Sequence, residues 1–182
     1  KVPGLRPQHL TGIRILAKIC NAKVEGLSVG STKIRFFPSK IVDTQLKEDV
    51  GTAGSIPLIL QILIPAISIS KKRLKMTITG GTDVLWSPTS DYTKIVLREA
   101  YARLGINFYM DVKRRGYYPR GGGIVDVEIF PREKITPVSL LKRTSKSVKL
   151  LCTHSGISSS LIEQEVDKAR NILTNAGFDC DY

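Results

Sequence analysis

The stretch from Gly51 to Ile69, GTAGSIPLILQILIPAISI, decides the architecture. Small residues lead in, the Ser55 hydroxyl is suited to cap a helix, and Pro57 is tolerated in a first turn. The segment that follows is apolar on every face, the mark of a helix buried in a core. Gln61 interrupts it. A buried amide left without partners costs about 1–3 kcal/mol, so Gln61 is either a satisfied core glutamine or a side chain facing a pocket. Local chemistry leaves both open.

Working outward, Gln8 to Ala22 places Leu10, Ile13, Ala17 and Cys20 at helical spacing, with Arg14 and Lys18 on the other side, which predicts an amphipathic helix. Val24 to Pro38 alternates around Val29-Gly30-Ser31 and reads as a β-hairpin. Downstream, Arg73 to Thr79 is a strand with Thr82 to Pro88 as its exit loop. A second amphipathic helix runs from Thr89 to Leu104, closed by Gly105. Strands Asn107–Arg114 and Ile124–Phe130 then flank the loop Arg115–Gly123. The order helix, strand, turn, strand occurs twice, ending in Phe37-Pro38 and in Phe130-Pro131. It suggests a weak internal duplication, with helices on one face of a mixed sheet.

Thr136 to Ser147 is rich in Ser, Lys, Thr and Arg and reads as a crossing between domains. Beyond it a β-α-β unit is expected: strand Val148–Thr153, helix Ser158–Ala176 with Leu161, Val166, Ala169 and Leu173 inward, and a strand from Phe178. The expected domains are therefore 1–136, part of a larger α/β domain, and 137–182, the beginning of a smaller one. The chain starts at Lys1 without an initiator Met and stops just after an apparent helix, so both ends are expected to be cut.

The net charge of +12 and a pI near 9.8 favour a polyanionic partner or anionic substrate; a plainly solvated basic surface is the duller account. Three cysteines without CxxC spacing argue for reduced thiols in an intracellular protein and against zinc. Two distant histidines, His9 and His154, make a poor metal site. No apolar run has the length of a membrane span.

Four stretches stand out: Pro3-Gly4-Leu5-Arg6-Pro7-Gln8-His9-Leu10-Thr11-Gly12, Gly51-Thr52-Ala53-Gly54-Ser55 through Gln61, Gly80-Gly81-Thr82-Asp83 through Trp86-Ser87-Pro88, and Arg114-Arg115-Gly116-Tyr117-Tyr118-Pro119-Arg120-Gly121-Gly122-Gly123. In this order and spacing the chain closely resembles the RNA 3′-terminal phosphate cyclases, from Lys1 to about Pro131 and more loosely to Tyr182. The resemblance implies an α+β fold made of repeated units of two helices on a four-stranded sheet, with a smaller α/β domain inserted. It also implies an ATP-dependent enzyme of the ligase class, forming a phosphoric ester bond. Such an enzyme turns an RNA 3′-phosphate into a 2′,3′-cyclic phosphate through enzyme-AMP and RNA-adenylate intermediates. ATP and a divalent cation, Mg or Mn, are the implied cofactors and RNA 3′ ends the implied partner. A cytoplasmic location, no membrane and a possible homodimer complete the expectation.

On the same resemblance Gln61 matches an ATP-contacting glutamine, which favours the pocket, and Pro88 matches a position on the adenine side. Arg6, Gln8 and His9 fall near the phosphates. Arg114, Arg115 and Arg120, interleaved with Tyr117 and Tyr118, could grip an RNA end by charge and stacking, or form a solvated basic loop. Gly121, Gly122 and Gly123 let a backbone approach either phosphate or another strand. The catalytic histidine is expected beyond Tyr182, no catalytic or metal residue is expected within this chain, and the segment is expected to lack cyclase activity alone. Two other readings stay in view: a non-catalytic cyclase-like protein of RNA binding or ribosome biogenesis, and a transferase of the enolpyruvyl type built on the same architecture.

Overall fold

The computed structural model describes residues 3–42, 44–132, 134–139, 141–142 and 145–181. The chain divides into two compact units, Lys1–Val138 and Ser139–Tyr182.

In the first unit, helix α1 (Pro7–Ile19) opens the chain with Pro in its first turn. Strands β1 (Lys23–Glu25) and β2 (Arg35–Phe37) pair antiparallel as a two-stranded sheet. Strand β3 (Thr44–Asp49), helix α2 (Ile56–Ser68) and strand β4 (Leu74–Gly80) follow. A helix over residues 90–103, α3, winds as a π-helix over Tyr92–Leu97 and as an α-helix over Arg98–Arg103. Strands β5 (Phe108–Arg114) and β6 (Gly123–Ile129) complete a four-stranded sheet in the order β3-β4-β6-β5. The sheet is mixed: β3 runs parallel to β4, and β6 runs antiparallel to both β4 and β5. Mixed helices and strands around such a sheet make the fold α+β.

Period-two alternation sets the core. Leu74, Met76 and Ile78 of β4 and Val125, Val127 and Ile129 of β6 are buried, and Ile56, Ile59, Leu60, Leu63, Ile64 and Ile67 of α2 cluster with them. Several readings of the sequence shift here. Helix α2, apolar nearly all round, is not buried on all faces in the fold. Leu58, Gln61, Pro65 and Ala66 are half-buried and Ile62 is 39% exposed, a stripe at helical spacing on which α1 packs through Gly12 against Ile62. The buried face of α1 carries Leu10, Thr11, Ile15 and Ile19, while Ile13 and Ala17 are half-buried. Of the expected inward set, Leu10 and Cys20 are buried, whereas Ile13 and Ala17 give way to Thr11, Ile15 and Ile19. Strand β3 escaped the sequence reading: its inward side includes Glu48, 8% exposed and paired with Lys18 of α1, so its pattern looked polar. The duplicated order is present as α1-β1-β2 and α3-β5-β6, yet only β5 and β6 join the four-stranded sheet.

In the second unit, β7 (Ser147–Lys149) and β8 (Asp179–Asp181) pair in parallel, connected through helix α4 (Ser159–Asn175). The half-buried side of α4 carries Ile162, Val166, Ala169 and Leu173, with Leu161 exposed, so the inward position is one residue later than the spacing suggested. Among the described residues no helix is long and apolar enough to cross a membrane.

The asymmetry of α2 is testable. Leu63→Ala removes a fully buried side chain and should lower stability by about 3 kcal/mol, whereas Ile62→Ala on the half-exposed stripe should cost about 1 kcal/mol or less. Chemical denaturation of both variants reads this difference directly, and equal losses would contradict the orientation of the helix.

Candidate functional site

The four motifs meet at one junction of backbone and small side chains. The Gln8 Oε1 accepts from the Ser55 N–H at 3.0 Å, tying the start of α1 to the cap of α2. The Ile56 N–H donates to the Gly81 carbonyl and the Gly81 N–H to the Gly54 carbonyl, each at 2.9 Å. The Thr82 N–H donates to the Gly116 carbonyl at 2.8 Å, and the Gly116 N–H returns to Thr82 Oγ1 at 2.9 Å. A Cβ on Gly121 would lie 2.7 Å from Ala53 Cα, and one on Gly123 2.6 Å from Thr82 Cγ2.

These contacts resolve the two uses open to the glycines in favour of chain-to-chain approach at Gly121 and Gly123. They also close the first turn of α2. Ser55 and Ile56 N–H are engaged as above, Pro57 has none, and the Leu58 N–H donates to Ser55 Oγ at 3.3 Å. The positive end of the helix is therefore satisfied by protein groups rather than left open for a phosphate.

Around the junction the expected site residues fall into two sets. Arg6, His9 and Arg120 are exposed. The Arg6 N–H donates to His9 Nδ1 at 3.1 Å, so in the neutral ring the proton belongs to Nε2. Gln61 is half-buried about 9 Å along α2 from Ser55 and makes no side-chain hydrogen bond among the described residues. Its exposure lets water satisfy the amide, so the penalty of a sealed polar group does not arise. Pro65 has no N–H to offer the Gln61 carbonyl four residues back, which adds a second polar group at the same place. Pro88 is half-buried in the loop after β4.

Arg114 and Arg115 are bound to named partners within the chain. Arg114 donates through Nε and Nη2 to the Gly122 carbonyl at 2.9 and 2.7 Å, clasping its own loop. Arg115 donates to Asp83 Oδ2 at 3.0 Å and to both oxygens of Asp91 at 2.9 and 2.8 Å. Burial opposes the charge of Arg115, but Asp91 and Asp83 outweigh it and its pKa is raised. Asp83 also accepts from the Ser90 N–H and from Thr82 Oγ1 at 3.0 and 2.8 Å, and Ser90 Oγ donates to the Thr82 carbonyl. This knot anchors the Pro88 loop at both ends. The sequence reading did not single out Asp91; an acid beside the start of a helix, eight residues after Asp83, was the available signal. Among the described residues no three His, Cys, Asp or Glu side chains gather to hold a metal ion.

The family model described as RNA 3′-terminal phosphate cyclase matches residues 1–174. The chain belongs to this family. The RNA 3′-terminal phosphate cyclase of Methanococcoides burtonii is 41% identical over 178 residues, 98% of this chain and 53% of the relative. That of Thermococcus kodakarensis is 49% identical over 140 residues, 77% of this chain and 40% of the relative. That of Pyrococcus furiosus is 50% identical over 123 residues, 68% and 36%. The chain thus spans about half, or less, of the length of these cyclases.

The two sets of arginines should separate by experiment. Arg115→Ala leaves two half-buried carboxylates without their cation and is expected to cost about 2 kcal/mol, whereas Arg120→Ala should change stability by less than about 0.5 kcal/mol. Thermal and denaturant unfolding provide the comparison.

Proposed function

We propose that this chain supplies nucleotide and RNA-end contacts for ATP-dependent conversion of an RNA 3′-phosphate to a 2′,3′-cyclic phosphate. The observation that carries the reading is the convergence of four separated motifs on one junction, flanked by the exposed Arg6, His9 and Arg120. A site holding a nucleotide and an RNA end needs cations for phosphate and a neutral hydrogen-bonding group for a base or sugar. Gln61, with donor and acceptor on a half-exposed stripe, fits the second requirement.

ATP, when bound, would supply an adenylyl group to activate the RNA 3′-phosphate, with pyrophosphate leaving, so that the neighbouring 2′-hydroxyl can attack that phosphorus and expel AMP, an intramolecular displacement favoured by proximity. The chain's own residues bind and orient. Gln61 holds the nucleotide and Pro88 borders its base. The Nε2–H of His9 and the Arg6 guanidinium face phosphate oxygens. Gln8 positions the junction through Ser55, and its NH2 group remains as a donor toward phosphate. Arg115 steadies the Pro88 loop through Asp83 and Asp91, and Arg114 steadies the following loop through Gly122. Neither His9 nor His154 is assigned as nucleophile. The described residues gather no metal nest, so a divalent cation is given no step on them. The cysteines are free thiols, which supports a cytoplasmic place of action.

The test uses a 5′-labelled oligoribonucleotide ending in a 3′-phosphate, incubated with ATP, with the 182-residue chain and with a chain extended to the length of the curated relatives. The expected result is phosphatase-resistant product from the longer chain and ATP binding without turnover by the shorter. Gln61→Ala should weaken ATP binding about tenfold, the loss of one or two hydrogen bonds. Unaltered ATP affinity in that variant would remove Gln61 from the site, and no product from the longer chain would overturn the reading.

A further inference from the structure

Two loops leave the polar knot side by side. Thr82 and Asp83, where the first begins, are bonded to Gly116 and Arg115, where the second begins. The first loop raises Trp86, 99% exposed, beside Leu85; the second raises Tyr118, 79% exposed, two residues before the exposed Arg120. Hydrophobic driving force would turn an indole inward, and Tyr and Trp rings left in water commonly mark a binding surface.

Backbone geometry points the same way. Trp86 has φ of +66°, a left-handed conformation that a bulky residue enters only at a cost. The loop around it is held nonetheless: Ser87 Oγ donates to the Val84 carbonyl and the Ser90 N–H to Asp83 Oδ1, both at 3.0 Å. An aromatic residue kept strained and outward by a well-bonded loop is one whose display is useful to the protein. The π-helical turn of Tyr92–Leu97 starts directly after the same knot, and such turns are frequent at functional sites.

We propose that Trp86 and Tyr118 form a base-stacking platform for the single-stranded RNA end, with Arg120 meeting its phosphate backbone. The proposal rests on the functional reading above, because it takes RNA as the ligand. Single-stranded nucleic acid is gripped by aromatic faces set among cations, since every base has a π-face and every linkage a charge. The +12 net charge of the chain suits that partner and disfavours another basic surface.

Trp86 is the single tryptophan of the sequence, so intrinsic fluorescence reports on this position alone. Titration of the chain with a single-stranded oligoribonucleotide ending in a 3′-phosphate should quench the emission saturably. Trp86→Ala and Tyr118→Ala should each weaken binding of the same fluorescently labelled RNA about tenfold, with Trp86→Phe close to the parent. Unchanged RNA affinity in Trp86→Ala overturns the platform while leaving the functional reading intact. Quenching by ATP and not by RNA overturns it in favour of adenine, and a blue shift that grows with protein concentration in the absence of RNA overturns it in favour of a protein contact. Failure of the unaltered chain to bind RNA at all overturns the platform and counts against the functional reading as well.

Discussion

Backbone meets backbone at Gly81, Gly116 and Gly121, and this close approach is the constraint on which the candidate site depends. A Cβ on Gly81 would lie 2.3 Å from the Ala53 carbonyl oxygen, and one on Gly116 2.1 Å from the Gly123 nitrogen. Those separations are far inside any van der Waals contact, so only glycine lets the three loops touch. Once they touch, each satisfies the others' main-chain groups: Gly54 with Gly81, Gly81 with Ile56, Gly116 with Thr82. The loops are thereby fixed without large side chains between them, and the side chains that remain are released for the surface.

The same constraint explains why the charged residues divide as they do. Arg115 emerges where Gly116 abuts Thr82, which brings it within reach of Asp83 and Asp91. A half-buried guanidinium there is stable only if paired, and two carboxylates pair it. Arg120 lies further along the same loop, between the contacts at Gly116 and Gly121, and is exposed. Two arginines five residues apart thus serve different ends, one holding the loop and one available to an anion.

The main helices and most strands were legible because their apolar residues follow the periods of helix and strand: Leu74, Met76 and Ile78 on β4, and the long apolar run of α2. Strand β3 was not, because its inward position at Glu48 is occupied by a charge whose partner, Lys18, is thirty residues away. No local pattern announces a long-range ion pair. The stripe on α2 was hidden for the opposite reason: Leu58, Ile62 and Pro65 are apolar whether they face the core or a neighbouring helix. Gln61 was therefore noticed for its chemistry, with a sealed core position and a pocket-facing one both open, and it lies half-buried on that stripe. At the junction, the motifs and their glycines were visible in the sequence. Which glycines face chain and which face outward was not, since that depends on loops brought together across long separations.

This division between what shows locally and what does not bears on how the junction can act. Its satisfied hydrogen bonds make it a rigid base, and the groups that face outward from it are few: an imidazole oriented by the Arg6 N–H, the cation of Arg120, and aromatic rings on two anchored loops. A polyanion meeting such a base loses little of its advantage to reordering of the backbone, because the loops that carry the outward side chains are already held by hydrogen bonds. The Trp86 backbone carries the clearest sign of that arrangement. Its positive φ sits in a loop held by the Asp83 and Ser87 bonds, with the indole exposed. Strain at this residue and satisfaction in the knot beneath it are two sides of one design, in which the glycine junction supplies the rigidity that keeps an aromatic face in water.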